Sequence, residues 1–285
     1  MCPILTYGNG QINYGTNYYF NNDHGIFSHT YLYPASGSSA SQIKSDVSAG
    51  AAYVNYTAHG YEQGWADPSF TNTNANNMTN NVHIRLIVSR GLKKTPYQHP
   101  NVNIKGSTTV IIPEYKKVDK KINKKGINLV TVDIRRGTSD TQDPRLNTLS
   151  KLNCILACIE ADKAGADEGI MLDINGNVST CNSTNFFIIR KGEVWTSKGM
   201  YCLPGITRKM VINLCKENNI PIYEKDFSIE DVHTSDEAFV TGTFAGIIPA
   251  INIDGYKISN GVRGKLTHRL QKYYSEKLIN LYTEK

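Results

Sequence analysis

The chain has 285 residues, of which 40% are hydrophobic and 20% charged, and its formal net charge is +6. This composition is typical of a folded globular protein with one large domain or two ordinary ones. No apolar run approaches the ~20 residues that a membrane-spanning helix needs. The first residues, MCPILTYG, lack the basic and long apolar regions of a signal peptide. We therefore expect a cytoplasmic protein that does not enter a membrane.

The first 80 residues differ in composition from the rest of the chain. They contain five charged residues and no arginine, and they are rich in Tyr, Asn, Ser and Gly. The patterns predict an extended piece at Tyr31–Tyr33, a helix at Ser41–Ala49 and a strand at Ala51–Ala58. The Asn- and Thr-rich stretch Ser69–Asn81 has the composition of a linker, so we place a boundary near residue 80.

Beyond the junction, strands alternate with helices, which predicts an α/β (α+β) fold. The predicted strands are Ile84–Ser89, Thr108–Ile112, Leu129–Ile134, Gly169–Leu172, Phe186–Ile189, Glu193–Trp195 and Asp236–Val240. The predicted helices are Asn153–Ala164, Thr207–Glu217 and a final helix from about Arg263 to Tyr282. We expect a polar loop at Arg135–Pro144.

Neither the lysine-rich segment nor the cysteines form a motif with a specific chemical function. Six lysines lie between residues 116 and 125, but no nucleic-acid motif or aromatic interleaving accompanies them, so we expect a solvated surface and no nucleic-acid partner. The cysteines are Cys2, Cys154, Cys158, Cys181, Cys202 and Cys215. None forms a C-x-x-C pair and no histidine cluster joins them, so we expect buried free thiols, no metal site and a reducing compartment.

Five sequence blocks occur in a fixed order after residue 80. They are HIRLIVSRG (83–91), AGADEGIMLDINGNVSTCNSTNFFIIRKGEVWT (164–196), LPGITR (203–208), DEAFVTGTFAGIIPA (236–250) and IDGYKISNGVRGKLT (253–267). Their order and spacing over about 200 residues resemble the class IV aminotransferases, the family of branched-chain and D-amino-acid aminotransferases and aminodeoxychorismate lyase. The resemblance implies the fold-type IV fold and pyridoxal 5′-phosphate (PLP) as cofactor. It divides the chain into a small-domain remnant at 81–134 and a large domain at 135–285.

Two of these blocks predict a phosphate-binding cup. Gly205, Ile206 and Thr207 form a turn that opens a helix, where free backbone N–H groups and the helix dipole favour an anion. In TGTFAG, Gly242 permits close approach of the backbone, and the hydroxyl of Thr243 can donate a hydrogen bond. The resemblance places the PLP phosphate at Ile206, Thr207 and Thr243.

The lysine that the family uses to hold PLP as a Schiff base is not in its usual place. Counting back from Glu160-Ala161 puts Asn147 in that position, whereas Lys151 lies four residues further on. If the helix has already begun there, positions 147 and 151 share one face about 6 Å apart, and a long side chain can partly span the gap. Lys151 is therefore the candidate catalytic residue. The alternative is an ordinary lysine that faces solvent.

Two further positions depart from the family pattern. Thr180 stands where the family usually has the glutamate that keeps the pyridine nitrogen protonated. A neutral hydroxyl cannot stabilise that charge, so the resemblance implies slower transamination or a different reaction. The phosphate-binding arginine that the family has before the HIR block is also missing, because the first segment contains no arginine.

Residues from about 13 to 80 resemble a fragment of a gingipain-type cysteine peptidase, most clearly at NYTAHG and GWADP. The resemblance makes His59 the catalytic histidine. No cysteine lies between Cys2 and Cys154 to serve as its nucleophile, so we expect no peptidase activity. The chain is then chimeric, with an unrelated segment before a truncated small domain.

The leading hypothesis is an aminotransferase that acts on amino acids and keto acids, of the branched-chain or D-amino-acid type. A catalytically inactive protein that keeps the fold for binding or structure is the second, because the expected lysine, glutamate and arginine are absent. A lyase of the aminodeoxychorismate type is the third, but it would need the same lysine. The family resemblance also implies a homodimer.

Overall fold

The computed structural model describes residues 54–56, 60–61, 64–66, 69–71, 82–95, 97–104, 106–115, 117, 119 and 121–283. The predicted extended piece at Tyr31–Tyr33, the helix at Ser41–Ala49 and His59 lie outside the described residues. The chain divides into two compact units, Met1–Lys117 and Val118–Lys285.

The first unit contains short antiparallel sheets. Its strands are β1 (Val54–Tyr56), β2 (Gly60–Tyr61), β3 (Gly64–Ala66), β4 (Ser69–Thr71), β5 (Val82–Ser89) and β6 (Thr108–Tyr115). Strands β1, β6 and β5 form one sheet in that order, and β2, β3 and β4 form another. The predicted strands at 84–89 and 108–112 are confirmed, and β1 falls inside the strand predicted at 51–58.

The second unit is built on a mixed sheet that has nine strands among the described residues. The strands are β7 (Ile127–Thr131), β8 (Glu168–Leu172), β9 (Val178–Cys181), β10 (Asn185–Arg190), β11 (Glu193–Thr196), β12 (Ile222–Glu224), β13 (Glu237–Gly242), β14 (Gly246–Ile253) and β15 (Tyr256–Lys257). The order is β12-β11-β10-β13-β14-β7-β8-β9, and β15 pairs with β14. Pairs β11–β12, β14–β7 and β7–β8 are parallel.

Helices cover this sheet. They are α1 (Ile122–Lys125), α2 (Ser139–Gln142), α3 (Leu152–Lys163), α4 (Ile206–Glu217), α5 (Ile229–His233) and α6 (Lys265–Thr283). The predicted helices are confirmed as α3, α4 and α6 to within two residues at each end. The loop predicted at Arg135–Pro144 contains the short helix α2. Strands β9, β12, β14 and β15 of this sheet were not predicted.

The sheet curves back on itself through its last strand. The hydroxyl of Ser197, just after β11, donates to the carbonyl of Ser179 in β9 at 2.7 Å. The amide of Val178, also in β9, donates to the carbonyl of Phe227 at 2.9 Å. Strand β9 therefore lies beside β10 and β11 although its ladder partner is β8, and residues from distant parts of the sequence meet at one edge.

Both faces of the sheet are buried, which explains why β10 is a continuous apolar run. Phe186 and Ile188 pack on one face with residues of β7, β8 and β13. Phe187 and Ile189 pack on the other face under α4 and α6. Alternate side chains of a strand point to opposite faces, so NFFIIR fills two cores at once. The rings of Phe187 and Phe239 stack with centroids 4.8 Å apart.

The C-terminal helix α6 is held at its start by a side chain from the sheet. The carboxylate of Glu237, in β13, accepts hydrogen bonds from the amides of Leu266 and Thr267 at 2.9 and 2.7 Å. The first amides of a helix have no partner within it, and an acceptor with negative charge stabilises that end. Leu270 of α6 is fully buried against the layer that contains Phe187.

Candidate functional site

The start of β10 and the end of β13 meet at one edge of the sheet. Asn185 pairs with Thr241, and β13 ends at Gly242, which pairs with Gly246 across the turn into β14. Thr243 is exposed in that turn. The hydroxyl oxygen of Thr241 is buried and has no hydrogen-bond partner among the described residues. The TGTFAG block predicted to bind phosphate, residues 241–246, therefore lies at this edge.

Helix α4 begins beside the same edge. Gly205 is its N-cap, and the side-chain amide of Asn185 donates to the carbonyl of Leu203 at 2.9 Å. There is no room for a side chain at position 205, because a Cβ there would overlap Oδ1 of Asn185. Glycine is needed here for a close approach, since its φ of −61° is open to any residue. The structure therefore brings LPGITR and TGTFAG together, as the phosphate cup requires.

The cup offers free backbone donors. In the part of the chain that the structure describes, the amides of Ile206 and Thr207 donate to no acceptor, whereas the amide of Lys209 begins the helical ladder by bonding to the carbonyl of Gly205 at 2.9 Å. Thr207 is buried, and Ile206 is 79% exposed. Unpaired amides at the positive end of a helix dipole are suited to hold a phosphate group, so the residues present fit the phosphate end of PLP.

Thr180 is buried and adjoins the cup. Its hydroxyl donates to the carbonyl of Thr184 at 2.7 Å. Thr184 in turn lies against the end of β13, because a Cβ on Gly242 would be 3.4 Å from Cγ2 of Thr184. A threonine hydroxyl has one proton, and Thr180 already donates it. Towards a ligand this side chain can only accept a hydrogen bond.

A carboxyl group lies behind this turn. Glu168, at the start of β8, accepts hydrogen bonds from the hydroxyls of Ser183 and Thr184, the latter at 2.6 Å. Burial raises the pKa of the Glu168 carboxyl, and the two hydroxyls oppose that rise. Burial likewise raises the pKa of the Cys181 thiol well above its usual range. Because its two oxygens accept hydrogen bonds from the hydroxyls of Ser183 and Thr184, Glu168 holds the turn that contains these two residues in place.

Lys151 lies at the N-terminus of α3, where it is the N-cap residue. Its side chain is exposed, and its Nζ donates to Oδ1 of Asn147 at 2.6 Å. The amine thus contacts Asn147, the residue that the sequence comparison predicts at the family's lysine position. The expectation that positions 147 and 151 share a helix face is wrong, because the helix begins only at Leu152 and the two side chains meet across a non-helical turn.

A buried arginine that the sequence argument missed connects the lysine segment with the cup. Arg136 donates from Nη2 to the carbonyl of Pro144 at 3.3 Å and from Nη1 to the sulfur of Cys154 at 2.9 Å. Its Nε donates to the carbonyl of Tyr201 at 2.9 Å, and the hydroxyl of Ser179 donates to that same carbonyl. Tyr201 precedes Gly205 by four residues, so Arg136 joins the two parts of the site. No motif in the sequence singled it out.

The five cysteines among the described residues are free thiols, but they are not all buried; Cys2 lies outside the described residues. Cys181, Cys202 and Cys215 are buried, and burial raises the pKa of Cys215 to about 12. Cys154 is half-buried and Cys158 is exposed. The prediction of buried thiols is therefore wrong for these two, because α3 buries only its alanines, Ala157 and Ala161, against the sheet.

The mixed sheet and the helices that cover it have the fold of the fold-type IV, PLP-dependent aminotransferases. Residues 51–253 match the family described as amino-transferase class IV. The chain belongs to this family.

Three known proteins illustrate the similarity. The chain is 40% identical over 201 residues to branched-chain-amino-acid aminotransferase-like protein 2 of Arabidopsis thaliana, covering 70% of this chain but 36% of that protein. It is 31% identical over 209 residues to the D-alanine aminotransferase of Listeria innocua, covering 72% and 70% of the two chains. A crystal structure of an aminotransferase from Brucella abortus bound to PLP superposes with a TM-score of 0.61 at 26% identity, over 68% of each chain.

Proposed function

We propose that this protein is a PLP-dependent aminotransferase that exchanges amino groups between amino acids and keto acids, of the branched-chain or D-amino-acid type. The observation that supports it most directly is the cup at the start of α4. There, unpaired amides, a glycine with no room for a Cβ and the end of β13 meet at one edge of the sheet, which supports phosphate binding there. Among the relatives named above, one is described as a D-alanine aminotransferase and one as branched-chain-amino-acid aminotransferase-like.

The residues of this chain divide the work between two ends of the site. The amides of Ile206 and Thr207, together with the hydroxyl of Thr243, hold the phosphate. Bound PLP supplies the electron-withdrawing ring that makes the Cα–H bond of an amino acid acidic. Lys151 would supply the amine that holds the cofactor and moves a proton at Cα. Thr180 would supply no negative charge to the ring nitrogen, and its one proton is already donated to the carbonyl of Thr184, so turnover would be slower than with a carboxylate there.

The substitution Lys151→Ala tests this assignment. Wild-type protein incubated with PLP and then reduced with borohydride is expected to carry a pyridoxyl group on the peptide that contains Lys151, and to absorb near 400 nm before reduction. The variant is expected to lose both signals, because no other basic residue lies between Arg145 and Lys163. Lys163→Ala, at the far end of α3, is the matched control and should label like wild type.

A catalytically inactive binding protein is the second candidate, favoured by Asn147 and Thr180 in place of the usual lysine and glutamate. It predicts that PLP binds through the cup but that borohydride leaves no adduct on any lysine. A lyase of the aminodeoxychorismate type is the third candidate, and it requires the same labelled lysine as the aminotransferase. Amino-acid screening distinguishes these two enzymes, because only the aminotransferase converts added PLP to the pyridoxamine form.

We also propose that the protein is a homodimer. Helix α3 presents an exposed apolar face with Leu152, Ile155, Leu156 and Ile159, and Leu146 and Leu149 just before the helix are exposed as well. Exposed apolar patches often mark interfaces.

The substitution Ile155→Glu tests the homodimer, since it places a charge in the middle of this face. Sedimentation equilibrium is expected to show the wild type as a dimer and the variant as a monomer over the micromolar range. Ile174→Glu is the matched control, because Ile174 is 58% exposed and Ile155 55% exposed. A dimer that survives Ile155→Glu would rule out this face.

The first segment and the location of the protein stay proposals made from the sequence. The sequence led us to propose a gingipain-like fragment without peptidase activity at 1–80, a small-domain remnant at 81–134 and a large domain at 135–285, but the family match already begins at residue 51. A transcript that reads through the codons for residues 69–81 in the source cells would support a natural chimera.

The free thiols suit the reducing cytoplasm that we propose as the location of the protein. Among the described residues, no helix is long and apolar enough to span a membrane.

A further inference from the structure

The amine of Lys151 is held by one specific neighbour. Its Nζ donates to Oδ1 of Asn147 at 2.6 Å, which is a short hydrogen bond for a nitrogen donor. No ion pair joins Lys151 to a carboxylate among the described residues, although such pairs are present at Arg145 and Lys198. The amine of Lys151 is therefore oriented by an amide and not by a charge.

The turn that brings these two residues together is fastened from several sides. The side-chain amide of Gln142 donates to the hydroxyl of Thr148 at 2.9 Å and to the carbonyl of Ser150 at 3.1 Å. Arg136 holds Pro144 on one side of the turn and Cys154 on the other. The positions of Asn147 and Lys151 are thus fixed by contacts outside the pair, so their hydrogen bond costs little additional ordering.

An amide is well suited to hold a lysine that must react as a neutral amine. The oxygen of asparagine accepts a hydrogen bond from the ammonium and from the neutral amine alike. A carboxylate at the same place would favour the ammonium form and withdraw the lone pair that attacks a carbonyl. Asn147 can therefore aim Nζ without blocking its reaction.

We propose that Asn147 is a positioning residue. It would compensate for the lysine missing at its own position by holding Nζ of Lys151 where the family has its lysine amine. This inference rests on the proposed function. In the reaction that reports on it, the ammonium of Lys151 first loses a proton to solvent. Its Nζ then adds to the aldehyde carbon of PLP and one water molecule leaves. Borohydride supplies a hydride and solvent a proton, which leaves a stable secondary amine.

The test measures the initial rate of borohydride-trapped labelling of Lys151 by PLP, followed by peptide mass mapping, between pH 6 and pH 10. Three variants are compared with the wild type: Asn147→Ala, Asn147→Asp and, as matched control, Asn153→Ala. Asn153 lies in the same segment, but its side-chain oxygen accepts from the amide of Cys154 and not from Lys151. Circular dichroism and thermal unfolding check that every variant is folded.

We expect Asn147→Ala to slow labelling of Lys151 about three- to tenfold, the range of one lost hydrogen bond. Asn147→Asp should move the half-maximal labelling rate to higher pH by about one unit, because an adjacent carboxylate favours the ammonium. Asn153→Ala should match wild type. A purely structural role of Asn147 would not move the pH profile in this direction.

The two levels of the proposal fail in different ways. If wild-type Lys151 is never labelled, the proposed function and this inference fall together. If wild-type Lys151 is labelled but Asn147→Ala and Asn147→Asp label at the same rate and pH, only the inference is overturned. If Asn153→Ala slows labelling as much as Asn147→Ala does, the effect belongs to the segment, and the specific role of Asn147 is likewise refuted.

Discussion

Replacing Phe187 by alanine is expected to lower the free energy of unfolding by about 3–5 kcal/mol, the range for deleting a buried aromatic ring. Phe187 is fully buried in the layer between the sheet and helices α4 and α6. Its ring stacks on Phe239 with the planes 8° apart. The change removes both the transfer energy and the stacking contact, and it leaves a cavity that neighbouring strands cannot close.

Urea unfolding followed by circular dichroism measures this effect. Phe187→Leu should cost less than alanine, because it keeps most of the volume. Tyr223→Ala is the control, since Tyr223 is 47% exposed at the margin of the sheet, and a loss below about 1 kcal/mol is expected there. A loss of the same size for Phe187→Ala as for Tyr223→Ala would show that the layer under α4 and α6 is not packed as described.

Replacing Gly205 by alanine is expected to weaken PLP binding at least tenfold and to destabilise the fold by about 1–3 kcal/mol, the cost of a broken buried hydrogen bond. The added Cβ overlaps Oδ1 of Asn185, so the Asn185 side chain must give up its bond to Leu203. The backbone of position 205 is not the cause, because its conformation is open to alanine. The phosphate cup opens as the two elements move apart.

A double-mutant cycle makes this prediction sharper. Asn185→Ala alone removes the same hydrogen bond, and it also removes the atom against which the new Cβ collides. Adding Gly205→Ala to that background should cost almost nothing further, so the two effects are not additive. PLP titration and thermal unfolding of the four proteins provide the measurement. Full additivity would mean that Gly205 matters for a reason other than Asn185.

Some strands and helices could be predicted because their pattern of apolar residues is contained within the element itself. The apolar runs at Phe186–Ile189 and Gly169–Leu172 gave strands, and the periodic segments gave α3, α4 and α6. Strand β14 was missed because its sequence contains Gly246 and Pro249, and ordinary rules count both against a strand. Pro249 is accommodated within the pairing of β13 and β14, a fact that only the arrangement of neighbouring strands decides.

The candidate site likewise contains residues that the sequence could predict and residues that it could not. The cup could be predicted because LPGITR and TGTFAG each carry a local mechanism for binding an anion. Arg136 could not, because its importance comes from contacts with Pro144, Cys154 and Tyr201, which lie 8 to 65 positions away. The exposed face of α3 was also missed, because a helix with apolar residues on one side looks the same whether that side or its alanines face the sheet.

The contact between Glu237 and the start of α6 shows that the folded domain extends beyond the region that matches the family. The family match ends at residue 253, yet the 19-residue helix α6 begins twelve positions later. A recombinant chain that ended at the limit of the match would leave the Glu237 carboxylate without its amides and the Phe187–Phe239 layer open to water. Domain boundaries for expression, or for exchange between relatives, should therefore be set after α6, since shared sequence alone would cut through the core.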